Sequence, residues 1–321
     1  MKKISFVIPC YNSSDTIESV LQEIRYAVDM LNQYTYEIIL VNDCSTDNTY
    51  EVVKKIAFED THVIGLNLAK NVGQHAALMA GFHYVSGDIV VCLDDDGQTP
   101  ADEVDKLIDK IEEGYDVVYA SYENKQHSCF RNWGSMVNRK MTEIMLGKPK
   151  ELYISSYFAS RRFIIEEMLH YEGCYPYVVG LVLRTTKNIC NVPVKHRQRA
   201  TGTSGYTIGK LLGLWMNGFT SFSVKPLRLA NYLGCASALC GFLYAIVIII
   251  RYFTLHTAPL GWSSTTAILL FLGGIILMVL GMMGEYIGRI YLCINATPQY
   301  VVRDMIRKEM PSVMEDFSEE Q

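Results

Sequence analysis

Two stretches of this chain carry no charged residue, Leu229 to Ile250 and Leu260 to Gly284. Each reaches the roughly 20 residues that an α-helix needs to cross the hydrocarbon core of a bilayer, and uninterrupted runs of that length seldom occur in soluble folds. Without water to hydrate free backbone groups, such a segment has to close its own hydrogen bonds as a helix. The sequence thus predicts a pair of membrane helices joined by a short loop. Lys225 and Arg228 precede the first run and Arg289 follows the second, whereas the loop holds only Arg251 and His256. The positive-inside rule then places both ends of the hairpin on the cytoplasmic side.

Ahead of the hairpin, apolar runs alternate with helical patterns. Ile4 to Ile8, Glu37 to Val41, His62 to Leu66, Ile89 to Leu93 and Asp116 to Tyr119 read as strands. Helices are expected from near Ser14, with Asp15 and Glu18 at capping-box spacing, from Thr49 to Phe58, after Asn71-Val72-Gly73, and from Pro100 to Glu113. Strands alternating with helices over about 120 residues predict a doubly wound, mostly parallel sheet. The fourth strand ends in Asp94-Asp95-Asp96-Gly97-Gln98, at the sheet end that faces the ligand crevice in open α/β folds. Alone, such a triplet is more readily a solvated acidic turn that caps the helix after Pro100. At that edge three carboxylates call for a cation, and Asp94 and Asp96, alternate residues of an extended chain, would present oxygens suited to Mg²⁺ or Mn²⁺. Gln98 could add a carbonyl oxygen. Asp43, ending the second strand, falls on the same rim, and Tyr11 offers a ring to stack on a base.

Several functions are excluded. A dinucleotide enzyme needs glycines where the first strand turns into its helix, and here that turn is Pro9-Cys10-Tyr11-Asn12; no Walker loop occurs either. The nine cysteines are odd in number and form no Cys-x-x-Cys pair, which fits a reducing compartment better than a disulfide framework or a zinc site. Met1-Lys2-Lys3 leads into an apolar run too short for a secretory signal, so the globular part is expected in the cytoplasm. The net charge of -5 hides an asymmetry: from Glu172 to Glu285 there is no acidic residue between, yet nine lysines and arginines fall there. Because that basic block runs into the first apolar helix, lipid phosphate is the expected anionic partner and nucleic acid is not.

The order of Val7-Ile8-Pro9-Cys10-Tyr11-Asn12, Val41 to Thr49, Asn71-Val72-Gly73 and Gly87 to Gln98, followed by the membrane hairpin, resembles family 2 glycosyltransferases of the GT-A fold. More narrowly, it is similar to the polyprenyl-phosphate glycosyltransferases of the dolichol-phosphate mannose synthase type. The likeness covers Ile4 to about Arg289. It implies that Asp43 contacts the nucleotide base, that Asp94, Asp96 and Gln98 surround a Mg²⁺ or Mn²⁺ ion, and that Pro9, Tyr11, Asn12, Asn71, Gly73, Asp95 and Arg131 border the donor. His196 to Tyr206 resembles the family's Arg-x-x-Gly-x-Ser-Lys-Tyr loop, so Arg199, Ser204 and Tyr206 would approach the diphosphate and the lipid phosphate. Gly205 stands where that loop usually has Lys.

Two more departures bear on chemistry. Ala120-Ser121-Tyr122 lacks the arginine that often follows the fifth strand, and no carboxylate lies between Glu151 and Glu166, where an acceptor-side Asp is common. A hydroxyl acceptor would need such a base. A phosphate monoester has a second pKa of about 6, is mostly ionised at neutral pH, and can attack unaided. The resulting expectation is a GT-A domain over residues 1–206, an amphipathic interfacial segment over 207–228, two spans over 229–284 and a cytoplasmic segment with an acidic tail over 285–321. The enzyme would sit in a bacterial inner membrane and move one sugar from a nucleotide-sugar, UDP-linked by expectation, to undecaprenyl phosphate with inversion, for cell-envelope or O-antigen glycans. Relatives of this type include tetramers, so a homo-oligomer belongs to the same expectation. Transfer to a lipid-linked sugar hydroxyl, or an inactive nucleotide-binding scaffold, are the rival readings.

Overall fold

A computed structural model describes residues 1–122, 143, 148–195, 261–295 and 297–308, with single helical positions between 227 and 254. The chain divides into two units, one of residues 1–207 with 298–321, the other of residues 208–297.

The first unit is a mixed eight-stranded sheet. Its elements are β1 (Lys2–Cys10), α1 (Ile17–Met30), β2 (Tyr34–Asn42), α2 (Thr49–Glu59), β3 (Val63–Leu68), α3 (Gln74–Phe82), β4 (Ile89–Cys92), a 3-10 turn (Ala101–Glu103), α4 (Val104–Glu112), β5 (Val117–Tyr122), β6 (Phe158–Arg161), α5 (Arg162–Leu169), α6 (Val178–Thr185) and β7 (Ile189–Val194). After the second unit's helix α7 (Trp262–Ile294), the chain returns as β8 (Val302–Arg307). The strand order is β7-β5-β6-β4-β1-β2-β3-β8. β6 runs antiparallel to β4 and β5, and β8 antiparallel to β3; the remaining pairs are parallel.

The five predicted strands form because their side chains are buried on both faces. Ile4, Phe6 and Ile8 of β1 pack with Ile17, Leu21 and Ile24 of α1, while Val7 on the other face meets α3. Burial of each such side chain is worth about 1.5–3 kcal/mol. Helix α3 lies so close to the sheet that a Cβ on Gly81 would come within 2.5 Å of Val7 Cγ1. Progress along β1, β2, β3 runs one way and β4 lies on the other side of β1, so the switch point falls between the C-terminal ends of β1 and β4.

The expected capping box at Asp15 and Glu18 is not formed. Helix α1 begins at Ile17 behind Thr16, without a side-chain cap. The Thr16 hydroxyl donates to the Asp95 carbonyl at 2.6 Å, tying the start of the helix to the acidic triplet. The strands β6, β7 and β8 were not expected from the sequence either.

In the second unit, α7 carries a stretch, Leu272–Ile294, long and apolar enough to cross a membrane, with mean hydropathy 1.5 and none of that window buried. The helix continues ten residues past Gly284, where Glu285 and Arg289 pair one turn apart at 2.7 Å. The first predicted span is described only at single positions, and of the interfacial segment 207–228 only Leu227 is among the described residues.

Candidate active site

The expected site residues that are described, Pro9, Tyr11, Asn12, Asp43, Asn71, Gly73, Asp94, Asp95, Asp96 and Gln98, gather around the C-terminal ends of β1, β2 and β4 and the turn into α3. Leu93, just past β4, is buried, and Gly97 at φ +71° turns the chain back toward the 3-10 turn. Between them the three carboxylates fan out in different directions. Asp94 accepts Gln74 Nε2 of α3 at 2.8 Å on one oxygen and the Ser156 hydroxyl on the other. Asp95 turns to β1 and accepts the Tyr11 N–H at 2.9 Å. Asp96 accepts the Gln98 N–H at 3.1 Å, so the Gln98 backbone serves the carboxylate.

Burial raises the Asp94 pKa to about 6; repulsion from Asp96 and Asp95 adds to it, and the bonds from Ser156 and Gln74 pull the other way. Asp95 is also raised, burial first and Asp96 contributing. A strand end that gathers such carboxylates favours an incoming cation. Among the described residues no three His, Cys, Asp or Glu side chains form a ready-made cage. Asp94 and Asp96 still fit a hard divalent ion, because Mg²⁺ is commonly held by one or two carboxylates with the remaining ligands from substrate phosphates and water. Tyr122 at the end of β5 is half-buried near these carboxylates, its ring edge-on to Tyr153; burial and then the Asp94 charge keep its phenol protonated.

The wall opposite is built from two tight turns. Asn12 and Cys44, at the ends of β1 and β2, are the non-glycine residues with positive φ, +54° and +52° among the described residues. Such backbone costs of order 1–3 kcal/mol and persists where neighbours over-determine it. Here Asn12 Oδ1 accepts the Thr46 N–H at 2.9 Å and the Asn12 N–H meets Ser45 Oγ at 3.1 Å. Tyr11 beside it is 50% exposed, as a stacking ring would be. Pro9 sits within β1 opposite Val41.

Asp43 is buried, and its two oxygens accept the N–H groups of Val72 and Gly73, each at 2.8 Å, while Asn71 Nδ2 donates to the Asp43 carbonyl at 3.1 Å. Gly73 adopts φ +84°, which this turn requires. The expected donor residues Asp43, Asn71 and Gly73 thus hold one another. Burial raises the Asp43 pKa despite those two bonds.

Arg131, Arg199, Ser204 and Tyr206 lie outside the described residues. The sequence reading missed Gln74 and Ser156. Gln74 follows the Asn71-Val72-Gly73 turn at the start of α3, a position from which a side chain can reach the lip, but Ser156 sits in an irregular loop that carries no pattern. A cleft of ≈ 470 Å³ lined by Gln22, Arg25, Asp60, His62 and Lys308 opens at the other end of β3. Its Asp60 is already paired with Arg25 at 2.8 Å, and none of the carboxylates just described lines it.

The model of glycosyl transferase family 2 matches residues 5–169, and that of the GtrB C-terminal hairpin matches residues 225–290. The chain is 35% identical over 319 residues to an undecaprenyl-phosphate 4-deoxy-4-formamido-L-arabinose transferase of Yersinia pestis (strain Pestoides F), covering 98% of this chain and 97% of that one. Among solved structures it resembles glucosyl-3-phosphoglycerate synthase from Mycobacterium tuberculosis in complex with Mn²⁺ and uridine-diphosphate-glucose, with a TM-score of 0.52, 22% identity, and coverage of 68% and 77%. Mannosyl-3-phosphoglycerate synthase from Rubrobacter xylanophilus gives a TM-score of 0.51 at 16% identity, with coverage of 72% and 75%. These likenesses show the fold, a mixed α/β sheet of the GT-A type. With a family match over just over half its length and a relative aligned from end to end, the chain belongs to glycosyl transferase family 2.

Proposed function

We propose that this chain is a metal-dependent, inverting glycosyltransferase that moves one sugar from a UDP-sugar to undecaprenyl phosphate at the cytoplasmic face of a bacterial inner membrane. The observation that carries this reading is the acidic lip at the switch point, with Asp94 held by two donors and Asp96 beside it. The full-length likeness to an undecaprenyl-phosphate transferase supports the acceptor, and the uridine-diphosphate-glucose and Mn²⁺ in a fold relative support the donor and the cation. A divalent ion held by Asp94 and Asp96 would supply positive charge to the departing diphosphate.

The chain's own residues do the rest. Tyr11 presents a face for the base, and the Asn12 and Cys44 turns shape the wall against which the nucleotide rests. Gln74 and Ser156 fix the carboxylate of Asp94. Ser156 stands in the stretch without a carboxylate between Glu151 and Glu166, which favours an acceptor that is already ionised. Arg199, Ser204 and Tyr206 would meet the phosphates, and two spans with both ends cytoplasmic would hold the domain at the lipid surface. The sugar class to test first is the 4-deoxy-4-formamido-L-arabinose of the relative's name, in an envelope or O-antigen glycan.

The test is a screen of radiolabelled UDP-sugars against undecaprenyl phosphate, with and without chelator, using Asp96→Ala as the blank. Transfer of one sugar that needs both the metal and Asp96 is the expected result. Transfer only to undecaprenyl-diphosphate sugars, or turnover untouched by Asp96→Ala, would overturn the proposal.

A further inference from the structure

Strand β8 follows the apolar helix in sequence, yet it lies in the sheet next to β3. Its pairing aligns three polar residues across three strands: Asn42 of β2 is opposite Asn67 of β3, and Asn67 is opposite Asp304 of β8. Neighbours in register project from the same face, so their side chains form a row. Asn42 Nδ2 donates to Asn67 Oδ1 at 2.8 Å, and Asn67 Nδ2 donates to Asp304 Oδ2 at 3.0 Å. Tyr50 of α2 donates its hydroxyl to the same Asp304 oxygen at 3.3 Å.

The row has a direction, and a carboxylate sets it. An amide side chain has a donor end and an acceptor end of nearly equal shape, whereas an ionised carboxylate only accepts. Asp304 therefore turns the Asn67 amino group toward itself, which leaves the Asn67 oxygen for Asn42. Asn42 in turn directs its amino group at Asn67 and its oxygen toward the turn after β2, where the Ser45 N–H donates to it at 3.3 Å. Ser45 Oγ accepts the Asn12 N–H. The row thus ends on the two left-handed turns that form the donor wall, and Ser45 adjoins one of them at Cys44.

We propose that Asp304, brought back to the sheet after the apolar helix, is a positioning residue for nucleotide binding: it orients the Asn67 and Asn42 amides and so fixes the turn at 43–45. This rests on the reading of that turn as part of the nucleotide site. It makes the strand beyond the membrane segment a working part of the donor site, with no contact between Asp304 and the substrate.

The experiment measures UDP binding by titration calorimetry on the detergent-solubilised full chain with Mn²⁺, alongside donor KM, kcat and melting temperature. Asp304 is exposed, so Asp304→Leu should fold. Loss of a hydrogen bond of this kind predicts UDP binding weaker by about three- to tenfold and a matching rise in KM with kcat little changed. Asp304→Asn keeps an acceptor and should bind nearly as the wild type does. Asn67→Asp removes the donor and sets two carboxylates face to face, so it should be impaired; adding Asp304→Asn to it restores a donor opposite an acceptor and should rescue binding. Wild-type affinity in Asp304→Leu, or failure of the double variant to rescue at an unchanged melting temperature, would overturn the proposal. A wild-type chain that binds no UDP would overturn the nucleotide reading and this inference with it.

Discussion

Replacing Asp43 by Asn separates what holds the donor wall from what touches the donor. The Asp43 carboxylate joins two loops by accepting the Val72 and Gly73 N–H groups, one on each oxygen at 2.8 Å. An amide of the same shape accepts only one of them and points its own N–H at the other. Leaving a buried donor unsatisfied costs about 1–3 kcal/mol. Burial also raises the Asp43 pKa, so a neutral replacement returns part of the cost of burying charge, and the net loss falls toward the lower end, about 1–2 kcal/mol. For a domain of this size each kcal/mol moves the melting temperature by about 2–4 °C, which predicts a fall of about 2–8 °C. The local reporter is trypsin cleavage after the exposed Lys70, which should quicken as the loop that follows it loosens. Melting and cleavage indistinguishable from the wild type would refute the assignment of Asp43 as the tie between the loops.

Two further outcomes concern stability away from the lip. Glu37 is buried and accepts Lys3 Nζ at 2.6 Å, Ser5 Oγ at 2.6 Å and the Ser86 N–H at 2.6 Å; burial pushes its pKa up, but these partners outweigh it and hold the carboxyl below its ordinary range. A pKa lowered by folding gives stability that is present above the unfolded value and lost as pH falls through the folded one. Glu37→Gln should therefore lower the unfolding free energy from denaturant titration at neutral pH by about 1–3 kcal/mol, a gap that closes in acid; a gap independent of pH would contradict it. Gly81→Ala places a Cβ 2.5 Å from Val7 Cγ1 and 3.1 Å from Val41 Cγ2, and should cost about 1–3 kcal/mol in thermal melts while leaving UDP affinity per folded molecule unchanged.

The sequence determined β1 to β5 because strands covered on both faces must be continuously apolar, and bounded runs such as Ile4 to Ile8 and Ile89 to Leu93 have no other stable use in a sheet. It also determined which carboxylates reach the lip, since Asp94, Asp95 and Asp96 follow a buried strand at once, and that a long apolar helix begins near Leu260; that this helix runs on to Ile294, past the end of the uncharged run at Gly284, came from the structure. Strands β6 and β7 stayed hidden because Phe158–Arg161 is four residues long and Ile189–Val194 contains a proline. Strand β8, Val302–Arg307, reads as a charged loop because an edge strand needs few apolar residues, and its charges discourage pairing with other chains. The tie between the Thr16 hydroxyl and the Asp95 carbonyl, 79 residues apart, carries no local signal either. Tertiary structure alone decided that Gln74 and Ser156 grip Asp94, that Asp43 spends its oxygens on the Val72–Gly73 turn, and that Asp304 lines up with Asn67 and Asn42. Hydrophobic periodicity is a local property and can be read along a chain; a hydrogen bond between residues far apart in sequence exists only after the sheet has set its register.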